Sequence, residues 1–452
     1  MVTTLLSTAT GPLRGVAAPP GDKSISHRAL LLGALAVGET VIEGLLESGD
    51  VMGTANALRA LGVDIARGET GSGAPRYRVN GVGLGGLCEP SEVLQMGNSG
   101  TGARLLMGVL ATHPLTCVLA GDSSLSERPM ARVTEPLRRM GAEIQTREGE
   151  RLPVTLHGAA EPVPITHTLP VASAQVKSAL LLAGLNAPGA TAVTEPLPTR
   201  DHTERLLRHF GVTVDVKQEE GGAQTVTVVG YPEISAGQVT VPGDPSSTAF
   251  PVVAALIVPG SEVILEGVCV NPLRMGLYET LGEMGAEISL KNRRDSCGEP
   301  VADIVVCAAE GGLRGVEIAE ERAPSMIDEY PVLAVAAAHA RGATILHGLG
   351  ELRIKESDRL VAITKGLAAC GVTAREQGDT LTIEGNGEPP PGGATIAAGL
   401  DHRMAMAFLV LGMAAKEAVA VDNGDVIATS FPSFPAFMNG LGATITGMKE
   451  DR

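Results

Sequence analysis

Stretches in which apolar residues recur every three to four positions are followed, six times along the chain, by a glycine and then at once by alternation of apolar and polar residues. The phrase is L-x-x-φ-G-[AV]-x-φ, with φ apolar. It occurs as LRALGVDI (Leu58 to Ile65), LRRMGAEI (Leu137 to Ile144), LRHFGVTV (Leu207 to Val214), LGEMGAEI (Leu281 to Ile288), LAACGVTA (Leu367 to Ala374) and, with Met in first place, MNGLGATI (Met438 to Ile445). Each copy predicts an amphipathic helix stopped by a left-handed glycine and followed directly by a strand. Gly62, Gly141, Gly211, Gly285, Gly371 and Gly442 lie 79, 70, 74, 86 and 71 positions apart, so six units fill the chain.

Upstream of the phrase, most units carry a helix rich in small residues and then a short strand opened by glycine, as in Gly38 to Ile42, Gly189 to Val193, Gly260 to Ile264 and Gly342 to Leu346. The unit therefore reads roughly βαβαββ. Three of the upstream helices, Ala29 to Val37, Leu180 to Leu185 and Pro251 to Val258, are apolar nearly all round and are expected to be buried. A repeat near 75 residues with buried helices favours closed pseudo-symmetric α/β domains over an open solenoid. A second self-match divides the chain in half: Pro242 to Ala249 (PGDPSSTA) repeats Pro20 to His27 (PGDKSISH) at an offset of 222, and the similarity runs on to Gly260 and Gly38. Three units plus three units make two like domains, with a cleft between them as the expected ligand site.

Composition narrows the function. A net charge of -16, no Trp, four Tyr and six Phe argue against a nucleic-acid surface or an anionic membrane surface. Six scattered cysteines without a CxxC pair read as reduced thiols and show no zinc site. No apolar run approaches the length of a membrane span and the N-terminal stretch lacks a signal-peptide pattern, so the expectation is a soluble cytoplasmic protein.

Against this acidic background, cations gather at helix openings. Lys23 and Arg28 flank the start of the first apolar helix, where backbone N–H groups already favour an anion, and their matched positions in the second half are Pro245 and Phe250. The phrase is not a Walker A loop. Gly97 to Arg104 (GNSGTGAR) is either a turn with an N-cap or a loop whose backbone approaches a ligand. Arg128, before Pro129, suits a carboxylate clamp or a surface ion pair; Ser173 caps a helix or meets a ligand along with Gln175; Arg200 to Thr203 has the same two readings. Asp328 and Glu329 precede a very apolar helix, as an N-cap or as acid/base candidates. Lys355 and Arg359 are expected one helical turn apart on one face, and Asp401 caps a helix from which Arg403 can reach outward. Together these openings suggest convergence on small substrates with several anionic groups.

The phrases PGDKSISHR, GNSGTGAR, SERPM, ASAQVKSA, IDEYP, RIKESDRL and DHRMAM, in this order and spanning nearly the whole chain, resemble the 5-enolpyruvylshikimate-3-phosphate synthase family. The resemblance implies two domains of three βαβαββ units each, an inside-out α/β barrel with pseudo-threefold repetition, built from residues 1–21 with 243–452 and from the inserted residues 22–242, and an active site in the interdomain cleft. It implies transfer of the enolpyruvyl group of phosphoenolpyruvate to the 5-hydroxyl of 3-phosphoshikimate with release of phosphate, by addition and elimination, in the shikimate pathway to chorismate and aromatic amino acids. It implies neither cofactor nor metal, and a monomer. Lys23, Ser24, Arg28, Ser173, Ala174, Gln175, Asp328 and Lys355 would bind 3-phosphoshikimate. Lys23, Gly100, Arg128, Gln175, Arg359 and Arg403 would bind phosphoenolpyruvate. Asp328 would be the base for the 5-hydroxyl, with Glu356 and Lys23 as proton donors to C3 and to the departing phosphate. Family members often carry Lys where this chain has Thr429, which leaves the leaving-group contact to Arg403 or Lys355. Gly at position 100 implies inhibition by glyphosate at the phosphoenolpyruvate site. The alternatives are the sister family acting on UDP-N-acetylglucosamine, whose reactive Cys is missing from the loop Gly121 to Pro129, and a non-catalytic anion-binding paralogue.

Overall fold

The computed structural model describes residues 3–71, 73–308 and 311–448; the outermost residues of the expected discontinuous domain, 1, 2 and 449–452, lie outside them. The chain forms two compact units. The flanking unit comprises residues up to Pro20, Gly243–Arg294 and the chain from Pro300 onward; the inserted unit comprises Gly21–Pro242 together with Asp295–Glu299, the tip of a hairpin.

Among the described residues, each unit contains three separate four-stranded sheets. Within a sheet, an edge strand runs parallel to its neighbour and the rest are antiparallel, as in Thr166–Thr168 beside Ala190–Glu195, then Gln224–Val229, then Val214–Gln218. Helices Ala174–Gly184 and His202–His209 supply the connections, giving βαβαββ. The other two sheets of the inserted unit centre on Val37–Glu43 with Pro75–Val82 and on Thr116–Ala120 with Arg151–His157. Those of the flanking unit centre on Glu262–Cys269, Arg341–Leu346 and Thr4–Ser7.

The hydrophobic pattern explains which layer lies inside. Strands such as Ala190–Glu195 alternate between buried and less buried positions, whereas the helices Lys23–Leu35, Gly100–Leu110 and Ala174–Gly184 are buried along nearly their whole length. The helices are thus the core and the sheets the outer layer, the inside-out arrangement. In the flanking unit Pro245–Ile257, Tyr330–His339 and His402–Gly412 play the same part. Close packing needs small residues: a Cβ on Gly108 would stand 2.2 Å from the Ala179 carbonyl oxygen of the neighbouring core helix. All six repeat glycines have φ between 77° and 107°, the left-handed geometry that lets each helix stop and its strand begin.

The sequence pattern does not reveal two features of the topology. The strand preceding each matched opening pairs away from the helix it leads into: Arg14–Ala17 lies parallel to Glu262–Cys269 in the flanking unit, and Gln238–Thr240 lies parallel to Val37–Glu43 in the inserted unit. The last sheet is completed by the chain's first strand, Thr4–Ser7, between Val419–Val421 and Ile445–Met448. No helix among the described residues is long and apolar enough to cross a membrane.

Candidate active site

The matched openings share one capping device. Asp22 accepts a hydrogen bond from the Ile25 amide (2.8 Å), and Asp244 accepts one from the Ser246 amide (2.8 Å), which explains why Pro-Gly-Asp stands in both copies. Beyond the cap the two copies differ. In the inserted unit Lys23 begins the helix and forms an ion pair with Asp50 of helix Gly49–Ala60. One turn on, Arg28 is only 2% exposed; its Nε donates to Thr203 Oγ1 (2.7 Å), Nη2 to Ser178 Oγ (2.7 Å) and Nη1 to the Ser24 carbonyl (2.9 Å). Burial among neutral oxygens pushes the guanidinium pKa down to about 10, with Glu204 and Asp22 partly opposing. His27 between these cations accompanies Thr54 (2.8 Å) and is held well below its ordinary value by burial and then by Lys23 and Arg28, so it is neutral.

The Gly-rich loop is capped by Ser99, which accepts from the Gly102 amide (3.0 Å), and Gly100 opens helix Gly100–Leu110. The turn and the cap are both present, and the loop also gathers cations: a Cβ on Gly100 would lie 2.8 Å from Arg104 Nη1 and 3.1 Å from Arg128 Nη1. Arg128, extended before Pro129, donates to Asn98 Oδ1 (2.5 Å), the Asn98 carbonyl (3.3 Å) and Ser124 Oγ (3.0 Å). Gln175 is engaged at both ends of its amide, accepting from Arg104 Nη1 (2.8 Å) and donating to Thr101 Oγ1 (2.9 Å). Ser173 accepts from the Val176 amide (3.4 Å) as a helix cap, and Ala174 begins that helix.

In the flanking unit the charged residues interlock. Arg359, fully buried, donates from Nε to Asp401 (2.8 Å), from Nη2 to Glu356 (2.5 Å) and from Nη1 toward Asp328 (3.5 Å). Burial opposes its charge, but Asp401 and Glu356, and then Asp328, outweigh burial and raise its pKa above the ordinary value. Lys355 Nζ lies 3.8 Å and Arg403 Nη2 4.0 Å from Asp328, so three cations converge on this carboxylate. Asp401 also caps helix His402–Gly412 by accepting from the Arg403 amide (3.0 Å). The N-cap position of helix Tyr330–His339 falls on Glu329 and not on Asp328, and the Glu329 side chain does not cap it.

One local expectation is corrected. Lys355 and Arg359 do not share a helix: Lys355 ends a 3-10 turn, Gly350–Ile354, and Arg359 begins helix Arg359–Ala369 after its cap Asp358. The intervening charged residues turn the chain, so the two cations meet through Asp328 and not through helical spacing. Thr429 ends the turn Asp425–Thr429, donates to the Val426 carbonyl (2.8 Å) and lies 3.2 Å from His402 Nδ1.

Sequence reasoning passes over Asp50 and Glu204 and assigns no role of their own to Thr101, Arg104, Ser178 and Thr203. Thr101 and Arg104 stand inside GNSGTGAR, Ser178 inside ASAQVKSA and Thr203 at the end of Arg200 to Thr203, and they signal themselves there only as hydroxyls and a cation; Asp50 and Glu204 are contacts made by tertiary packing.

A model of EPSP synthase (3-phosphoshikimate 1-carboxyvinyltransferase) matches residues 7–438. The chain belongs to the EPSP synthase family. It is 59% identical over 447 residues to the 3-phosphoshikimate 1-carboxyvinyltransferase of Paramagnetospirillum magneticum, covering 99% of both chains, and 59% identical over 435 residues to that of Rhodospirillum rubrum, covering 96% of both. Among solved structures it resembles an EPSP synthase from Acinetobacter baumannii, with TM-score 0.85, 42% identity, and coverage of 99% of this chain and 100% of that one. The enolpyruvyl transferase NikO from Streptomyces tendae shares the fold, with TM-score 0.75 and 18% identity over the whole of both chains. As an EPSP synthase the protein is a carboxyvinyl transferase of the shikimate pathway. The cysteine chemistry of the sister family has no counterpart at Cys117, which is buried in strand Thr116–Ala120 and whose thiol burial pushes up to about 12.

Proposed function

We propose that the chain joins the enolpyruvyl group of phosphoenolpyruvate to the 5-oxygen of 3-phosphoshikimate by dividing the labour between its two units. Residues of the inserted unit grip the anions. Lys23, Ser24 and Arg28 bind the acceptor at a helix opening, and Ser173, Ala174 and Gln175 receive its phosphate at another. Ser173 uses its oxygen as an acceptor in the cap, which leaves its O–H to donate, and the first-turn amides of Ala174 and Gln175 have no partner within the helix. Gly100, Arg128 and Gln175, with Lys23, hold phosphoenolpyruvate, completed by Arg359 and Arg403 of the flanking unit.

The chemistry falls to Asp328, Glu356 and Lys355, with Lys23. Asp328 takes the proton of the 5-hydroxyl as that oxygen bonds to C2 of phosphoenolpyruvate, and Glu356 or Lys23 delivers a proton to C3, giving a tetrahedral adduct. Loss of a C3 proton then restores the double bond as the C2–O bond to phosphate breaks, and the cations stabilise the leaving group. The observation that carries this reading is the convergence of Lys355, Arg359 and Arg403 within 4.0 Å of Asp328, with Glu356 on the same arginine. A phosphate-release assay with phosphoenolpyruvate tests it. Turnover is expected with 3-phosphoshikimate and not with UDP-N-acetylglucosamine, and D328A and E356A should each abolish most of it. No phosphate release above background by wild type would mean an anion binder without this chemistry, and equal turnover by wild type and both variants would remove Asp328 and Glu356 from it.

A further inference from the structure

Behind Arg28 lies an ion cluster that the proposed reaction does not use. Lys177, on helix Ala174–Gly184, is fully buried, and its ammonium sits 2.7 Å from Glu195 and 2.7 Å from Glu204 of helix His202–His209, while donating to the Thr199 carbonyl (3.3 Å). Glu195 also accepts from Thr199 Oγ1 (2.5 Å) and Gln224 Nε2 (2.5 Å). A buried ammonium with two buried carboxylates carries a large desolvation cost, and apolar packing would join two helices as well. Its neighbours in sequence suggest why it is there. Lys177 is followed by Ser178 and Glu204 is preceded by Thr203, so the same two helices are linked twice in parallel: once by Lys177 with Glu204, and once by Thr203 Oγ1 donating to Ser178 Oγ (2.7 Å). These two hydroxyls are the acceptors for Arg28 Nε and Nη2.

We propose that the Lys177–Glu204 pair, through Thr203 and Ser178, is the positioning device of Arg28. The pair fixes the spacing of the two helices so that both hydroxyl oxygens meet the guanidinium edge. Together with Glu195 the cluster carries one excess negative charge close by, so Arg28 is balanced at a distance and keeps its remaining N–H groups for the acceptor. A carboxylate in direct contact with Arg28 would balance it equally well but would compete with an anionic ligand. Lys177, Ser178, Thr203 and Glu204 are thus positioning residues and make no substrate contact. The inference rests on the reading of Arg28 as an acceptor ligand.

Steady-state kinetics of the full chain separate the two claims. R28A is the control for the site itself; an unchanged KM for 3-phosphoshikimate in R28A would overturn the reading of Arg28. In E204Q, which keeps shape and removes charge, the KM for 3-phosphoshikimate should rise about tenfold, with kcat and the KM for phosphoenolpyruvate within about twofold. T203V should show the same split, and T203S, which keeps the hydroxyl, should restore the acceptor KM to within about twofold of wild type. If E204Q does not fold, the T203V and T203S pair decides. A lowered melting temperature with the acceptor KM unchanged in E204Q and T203V, alongside a large effect in R28A, would overturn the positioning role and leave the site intact.

Discussion

Arg28 of the inserted unit and Arg359 of the flanking unit are almost equally shut off from water, at 2% and 0% exposure, and keep opposite company. The hydrogen bonds of Arg28 go to two hydroxyls and a carbonyl, while those of Arg359 go to Asp401, Glu356 and Asp328. Desolvation therefore dominates at Arg28 and lowers its pKa, whereas at Arg359 the carboxylates prevail and raise it. A buried cation held by neutral groups is prepared for an anion that arrives from outside. A buried cation among carboxylates holds those carboxylates in place, which suits a region that must present acid and base groups in a fixed array. The same contrast separates the paralogous helix openings: where the inserted unit has Lys23 and Arg28 the flanking unit has Pro245 and Phe250, and there Asp244 and Ser246 are bonded to Arg274 (3.2 and 2.6 Å), with Ser246 donating in turn to Glu329. One opening holds a buried arginine with neutral oxygens, and its copy holds a buried arginine against the carboxylate of its own cap.

The sharpest way to break this comparison is to remove each charge while keeping an apolar stem. R359M leaves three carboxylates without their shared cation and is expected to cost about 3–5 kcal/mol of stability, whereas R28M, which leaves neutral hydrogen-bonding groups behind, should cost about 1–3 kcal/mol. Urea unfolding monitored by circular dichroism measures both. Equal losses would mean that the two arginines play the same structural part.

A smaller effect is expected at Gly100. Its backbone does not require glycine, since its φ is not in the left-handed region, but a Cβ there would press on the ends of Arg104 and Arg128. Both are flexible tips, so G100A should fold normally while the guanidinium groups move. The KM for phosphoenolpyruvate is expected to rise about tenfold with that for 3-phosphoshikimate little changed, and inhibition by glyphosate, expected in wild type, should weaken. Unaltered phosphoenolpyruvate kinetics in a folded G100A would remove Gly100 and Arg128 from the donor site.

The smallest effect is a pH dependence beside Arg28. Burial, then Lys23 and Arg28, hold His27 well below 6.5, so the unfolded chain takes up a proton there that the folded chain does not. Stability from this residue is complete above about 6.5 and is lost as pH falls below it, by at most ~1.4 kcal/mol per pH unit. Chemical denaturation between pH 7 and 5 should show a shallower loss for H27Q than for wild type. Parallel profiles would mean that His27 is protonated in the folded state.

Much of the scaffold can be read along the chain because its signals are local. A glycine after an amphipathic run ends a helix wherever it occurs, and Asp22, Ser99, Ser173, Asp244 and Asp401 each cap the helix that comes next. The exchange of the strands Arg14–Ala17 and Gln238–Thr240 carries no such mark, because a strand's own residues specify which of its faces is buried and not which sheet receives it. The candidate site divides in the same way. Lys23, Arg28, Arg359 and Arg403 announce themselves as cations at helix openings, whereas Thr203 and Ser178, 175 and 150 positions from Arg28, are ordinary helix residues until the fold brings them together. Lys355 and Arg359 look like helical neighbours in the sequence because charge spacing alone does not reveal the turn between them.

The division of labour between the two regions is tested most directly by calorimetric titration of 3-phosphoshikimate into wild type, R28M and D328N, with phosphate release measured on the same preparations. D328N is expected to bind the acceptor within about fivefold of wild type yet to turn over roughly 100-fold more slowly or worse, while R28M loses about 100-fold in acceptor affinity. Wild-type affinity in R28M, or wild-type turnover in D328N, would contradict the account.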